Sequence, residues 1–154
     1  MRKLYTIPVV LLVAALTVAA GASSRPLART FVVQLTAAEE VPRCAPADKS
    51  DHGVALFTIT DATAGTVSYK VVSTNLPGNI VGSPGAHIHG PALAGQTAGI
   101  VQPLTLTGAE VGVVAKGTFT NPQLVAAAFA NPQLYYVNVH STTCPAGVIR
   151  GQVG

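Results

Sequence analysis

The sequence predicts an all-β chain: an antiparallel, Greek-key-like β-sandwich of about eight strands with one short helix. Three observations carry this reading. Short runs of alternating apolar and polar residues recur along the chain, as half-buried strands require. The 15 glycines and 11 prolines punctuate those runs at turn positions. Charged residues make up only 10% of the chain, and Thr, Ser and Gln take many outward positions instead. Evenly spaced short strands with that turn chemistry fit a sandwich or a barrel.

The first residues read as a leader and not as part of the fold. Arg2 and Lys3 form a basic start, and Leu4 to Ala20 is apolar except for Tyr5, Thr6, Pro8 and Thr17. Ala20-Gly21-Ala22 is a small-x-small cleavage site just before Ser23. This is the pattern of a secretory signal peptide over residues 1–22, leaving one domain over 23–154 and no membrane span in the mature protein. No cysteine follows the apolar run, so a lipid anchor is not expected. The expected location is secreted or periplasmic. The mean hydropathy of +0.45 is raised by this leader.

Thr30 to Thr36 alternates as a first strand, with Phe31, Val33 and Leu35 on one side. A long polar connection, Ala37 to Asp51, carries Pro42, Cys44 and Pro46. Gly53 to Thr60 is apolar on both faces and therefore reads as central or covered. Asp61 to Gly65 makes a hairpin turn, and Thr66 to Ser73 follows with Val67, Tyr69 and Val71 inward. Asn75 to Gly78 is a turn before a short strand around His87. Ile100 to Thr107 is a strand segment interrupted by Pro103. Glu110 to Thr120 is another, with Val111, Val113 and Ala115 expected on one row. The helix is expected at Pro122 to Phe129, with Asn121 as N-cap and Pro122 at the first helical position. A strand from Tyr135, a turn at Thr143 to Gly147 and a strand from Val148 to Val153 complete the chain.

Charge excludes one class of partner. Of 9 basic residues, Arg2 and Lys3 belong to the leader, so the remaining seven nearly balance the 6 acidic ones. With no basic run and no Trp, nucleic acid is not an expected partner. The 2 cysteines, Cys44 and Cys144, are expected to form a disulfide in an oxidising compartment.

Three of the 4 histidines carry the candidate chemistry. His87 and His89 are two apart on a strand, so both imidazoles point to the same face. In Tyr135 to His140 the row of Val137 and Val139 is buried, which leaves Asn138 and His140 on the polar row. If the two strands are neighbours, His87, His89 and His140 can converge on one ion; the other reading is that these histidines bond to backbone carbonyls and to Asn138 and fix the ends of the two strands. All-nitrogen ligation suits copper or zinc, and three ligands leave one position open.

Four stretches, Glu40-Val41-Pro42, Ala86-His87-Ile88-His89-Gly90-Pro91, Tyr136-Val137-Asn138-Val139-His140-Ser141 and Gly147-Val148-Ile149-Arg150-Gly151-Gln152, occur in this order. Together they resemble the CHRD (chordin-type) domain over essentially the whole mature chain. That family's last motif usually reads Gly-Glu-Ile-Arg-Gly-Gln, and Val148 stands here in place of the Glu. The resemblance implies an extracellular or periplasmic β-sandwich, found alone in bacterial secreted proteins and repeated in the animal growth-factor antagonist chordin. It implies no settled catalytic activity. The chain is also similar, more weakly, to copper-zinc superoxide dismutase, through its His-x-His strand, its disulfide and the segment Cys144 to Ile149. Dismutases need more histidines and an Asp for two metals, whereas only His52, beside Asp48 and Asp51, is left over here.

The remaining polar residues are expected to play quieter parts. Arg150 can steer an anion to an open metal position, but the preferred expectation is a sheet-surface arginine. Asn138 is expected to support His140 or nearby backbone. Glu39 and Glu40 read as a solvated turn. No Gly-x-Ser-x-Gly elbow accompanies Ser141, and no phosphate-cradling loop is present. The expected function is a secreted binding or structural module for an extracellular or envelope ligand, with a candidate histidine metal site. The alternative is a copper-dependent redox protein.

Overall fold

A computed structural model describes residues 29–82 and 85–154. The expected signal peptide and its cleavage site lie outside the described residues. The elements are β1 (Arg29–Thr36), β2 (His52–Asp61), β3 (Thr66–Ser73), β4 (Ala86–His89), β5 (Ile100–Pro103), β6 (Gly112–Thr120), α1 (Pro122–Ala130), β7 (Tyr136–Val139) and β8 (Ile149–Gln152). Single 3-10 turns at Ala37–Glu39 and Pro132–Leu134 follow β1 and α1.

Among the described residues the chain is all-β and antiparallel, with eight strands and one helix. The strands join in one sheet, ordered β5-β4-β7-β8-β1-β2-β3-β6, and not in the two separate sheets of a sandwich. The joint between its halves is narrow. β1 pairs with β8 only at Thr36 and Arg150, while β1 and β2 pair along their length, from Arg29 opposite Ile59 to Thr36 opposite His52. Gly151 permits this approach, because a Cβ there would run into the Gln34 carbonyl of β1. The sheet curls at the joint, so both halves contribute to one core. Val33, Leu35, Phe57 and Val71 come from one half, and Ile88, Val137, Val139 and Ile149 from the other.

The curl also brings the outer strands together. Beyond Pro103 the chain crosses from β4 to β6: the Leu104 amide donates to Ala86 O (3.0 Å), Thr107 N–H to Val114 O (2.9 Å), and Lys116 N–H to Thr105 O (3.2 Å). β6 departs from the expected row. Its register with β3 shifts between Val71 and Val72, so Val114 and Ala115 are both buried while Val111 is 53% exposed. The extra residue of this bulge breaks the two-residue alternation.

Helix α1 begins as expected. Asn121 Oδ1 accepts the Leu124 amide at 3.0 Å, and Pro122 occupies the first turn, where its missing N–H is not needed. Leu124 and Val125 are its buried residues. Among the described residues, no helix is long and apolar enough to cross a membrane.

Candidate metal centre

The strands bearing the histidines are neighbours. β4 and β7 pair with His87 opposite Asn138 and His89 opposite Tyr136. His140 follows β7, and its amide donates to Gly85 O at 2.8 Å. Alternation then places His87, His89, Asn138 and His140 on the face away from Ile88, Val137 and Val139. That row continues into β8, where Arg150 lies opposite Asn138.

The face is not solvated, which corrects two expectations. His87, Asn138 and Arg150 are 3%, 3% and 1% exposed, and Glu40 is 2% exposed. Arg150 is therefore not a sheet-surface arginine, and Glu40 is not in a solvated turn, although Glu39 is exposed. The cause lies in two connections that fold over the strands. The segment after β4 brings Ala98 onto His89 and Tyr136. The segment after β1 brings the Glu40 carboxyl against Gly147, where a Cβ would collide with it.

One ring nitrogen from each of His87, His89 and His140 lies within 4.8 Å of the others. The protonation of two rings follows from their partners. A backbone carbonyl only accepts, so His89 Nδ1–H donates to Ala98 O (2.8 Å) and His140 Nδ1–H to Pro145 O (3.0 Å). In the neutral rings both Nε2 atoms then carry lone pairs. Among the described residues, His140 Nε2 is buried with no hydrogen-bond partner. Burial, reinforced by nearby His89 and opposed by the Pro145 carbonyl, pushes the His140 imidazole below its ordinary pKa and keeps it neutral. His89 Nε2 lies 2.8 Å from His87 Nδ1 and 3.1 Å from Asn138 Oδ1, and His87 Nδ1 lies 3.0 Å from the same Asn138 oxygen. A proton on His87 Nδ1 can then serve both the His89 nitrogen and the Asn138 oxygen.

Behind the histidines is a second polar layer. The Tyr136 ring stacks on His89, with centroids 4.6 Å apart and planes 3° from parallel. The Arg150 guanidinium carbon sits 3.4 Å from the Tyr136 centroid. Arg150 Nη1 and Glu40 Oε2 are buried without hydrogen-bond partners among the described residues. Burial pushes the Glu40 carboxyl up to about 7; the Val41 amide, the Arg150 charge and the Asn138 side chain lower it without cancelling that effect. On its open side the centre meets a depression lined by Val81, Gly82, Ile100 and Pro145.

Cys44 and Cys144 are joined, with Cα atoms 5.7 Å apart. The bridge stands at the His140 end of β7. His52 is elsewhere: it is exposed and bonded through Nδ1 to Ser50 O at 2.7 Å. Of the residues that sequence reasoning did not assign to the site, Tyr136 was legible, because it alternates onto the row of Asn138 and His140. Glu40 had no local signal, since its burial depends on Gly147, far along the chain.

A family model for the CHRD domain matches residues 31–153. No curated protein and no solved structure matches the chain.

Proposed function

The chain belongs to the CHRD domain family, and from that premise we propose that it is an exported binding module that holds one transition-metal ion through His87, His89 and His140. The observation that carries this reading is the buried Nε2 of His140, without a hydrogen-bond partner among the described residues, in a cluster with two other imidazoles. A buried lone pair without a donor is costly, and a cation relieves it. Holding the opposite ring nitrogen on a carbonyl is how metal-binding histidines are oriented, and His89 and His140 both have that support.

Imidazole donors favour copper or zinc. Bonds of ~2.0–2.1 Å in a tetrahedral set place ligand nitrogens roughly 3.3 Å apart, so the 4.8 Å spread contracts on loading by side-chain rotation. Three protein ligands leave one position facing the open depression, where an external ligand can reach the ion. Export is supported by the leader-like residues 1–22 and by the disulfide.

Elemental analysis of protein purified from an oxidising compartment tests this. One copper or zinc per chain is expected, falling to none in the His87→Ala, His89→Ala double variant. A wild-type protein that stays metal-free in both copper and zinc titrations refutes the reading. Superoxide turnover by the copper-loaded protein would move it to the redox alternative.

A further inference from the structure

The backbone of His140 continues the β4–β7 pairing, its amide donating to Gly85 O and its carbonyl accepting from the Val81 amide, but the carbonyl that orients its ring belongs to a turn fastened by the disulfide. Pro145, whose carbonyl accepts His140 Nδ1–H, directly follows Cys144. Cys144 is 1% exposed and organises the turn around it. The Ser141 amide donates to Cys144 O (3.3 Å), the Gly147 amide to the same oxygen (3.1 Å), and the Cys144 amide to both Ser141 O and Ser141 Oγ. The other end of the bridge, Cys44, lies in the connection that carries Glu40, whose carboxyl packs on Gly147 in this same turn. The bridge therefore clamps one connection onto the turn that orients His140. His87, His89 and Asn138, by contrast, sit on strands paired through the β4–β7 ladder.

We propose that the Cys44–Cys144 bridge gates the metal centre: the closed bridge keeps His140 in the ligand set, and opening it releases that ligand and lowers metal affinity. This rests on the metal-binding reading above. The opening step is reduction by an external dithiol. The dithiol gives two electrons and two protons, the sulfur–sulfur bond breaks, both cysteines become thiols, and the dithiol closes to its own disulfide. The sheet keeps its ladders, so the chain stays folded while the centre passes from three histidines to two.

Calorimetric titration with Zn2+ alone tests the gate on the full oxidised chain, the C44S/C144S variant, H140A and the triple variant. The expected result is one Zn2+ site in the oxidised protein and at least tenfold weaker binding in C44S/C144S, with its β-sheet circular dichroism and cooperative unfolding retained. In H140A the bridge should no longer matter, so the triple variant binds as H140A does. Coupling between bridge and ion is reciprocal. Saturating Zn2+ should therefore lower the wild-type disulfide's midpoint potential, in a glutathione redox series, by about 30 mV for a tenfold coupling. A folded C44S/C144S that binds as tightly as wild type, or a potential that Zn2+ does not move, overturns the gate and leaves the metal reading standing. A variant that loses its sheet shows the bridge to be a requirement of the fold and overturns a local gate. Oxidised wild type that binds no Zn2+ removes the metal reading, and the gate falls with it.

Discussion

A carboxyl group withdrawn from water holds its proton, and Glu40 is pushed up to about 7 by burial. In the unfolded chain it titrates near 4.5, so between those values the folded state binds the extra proton. Glu40's contribution to stability is then fully present below 4.5 and is lost as pH rises through 7. The size is on the order of 3 kcal/mol. Glu40→Gln keeps the shape and removes the titration. Its urea midpoint should match wild type in acid and exceed it well above neutrality; an equal difference at both ends of the range contradicts the assignment. Asn138 is the other residue to test here, since its oxygen lies 3.0 Å from His87 Nδ1 and 3.1 Å from His89 Nε2. Asn138→Ala should weaken Zn2+ binding roughly 10–100-fold while leaving the site's stoichiometry at one. The histidine row itself was readable from two-residue alternation in His87-Ile88-His89 and Asn138-Val139-His140. The burial of Arg150 and Glu40 was not, because nothing within a few residues of either announces the connections that cover them.

Among the elements, α1 was the most legible, since its cap, its first-turn proline and its Ala-rich run are all local signals. Asn121→Ala removes the side chain that accepts from Leu124 and should cost about 1 kcal/mol in thermal unfolding. β6 was the least legible. Its bulge at Val114 answers a register shift in β3, and alternation read along one strand cannot register what the partner strand demands. The β1–β8 joint belongs with it. A side chain at Gly151 must displace the β1 backbone at Gln34, so Gly151→Val should destabilise by roughly 1–3 kcal/mol through overpacking. Unchanged unfolding in that variant would show the joint to be looser than its geometry.

For the whole molecule, strand count and antiparallel character were both legible, but the joining of the strands into one continuous sheet was not. A sandwich and a curled sheet share the same alternation and the same turns. What separates them is a single non-local pairing, Thr36 with Arg150. The disulfide adds a constraint of the same reach, spanning 100 residues. Chain entropy assigns such a closure up to ~4.7 kcal/mol, and C44S/C144S should show a loss of about 2–5 kcal/mol in its denaturant midpoint.

The crossing of residues 104–107 onto β6 has a bearing on how copies of this protein meet. Backbone donors and acceptors along β6 that a stranger could have recruited are already engaged at Val114 and Lys116, and β5 is only four residues long and ends on Pro103, which offers no N–H. Stacking of one molecule on the next through continued ladders, the usual route to fibrils from β-rich chains, finds little purchase here, so crowding should favour dispersed molecules over filaments.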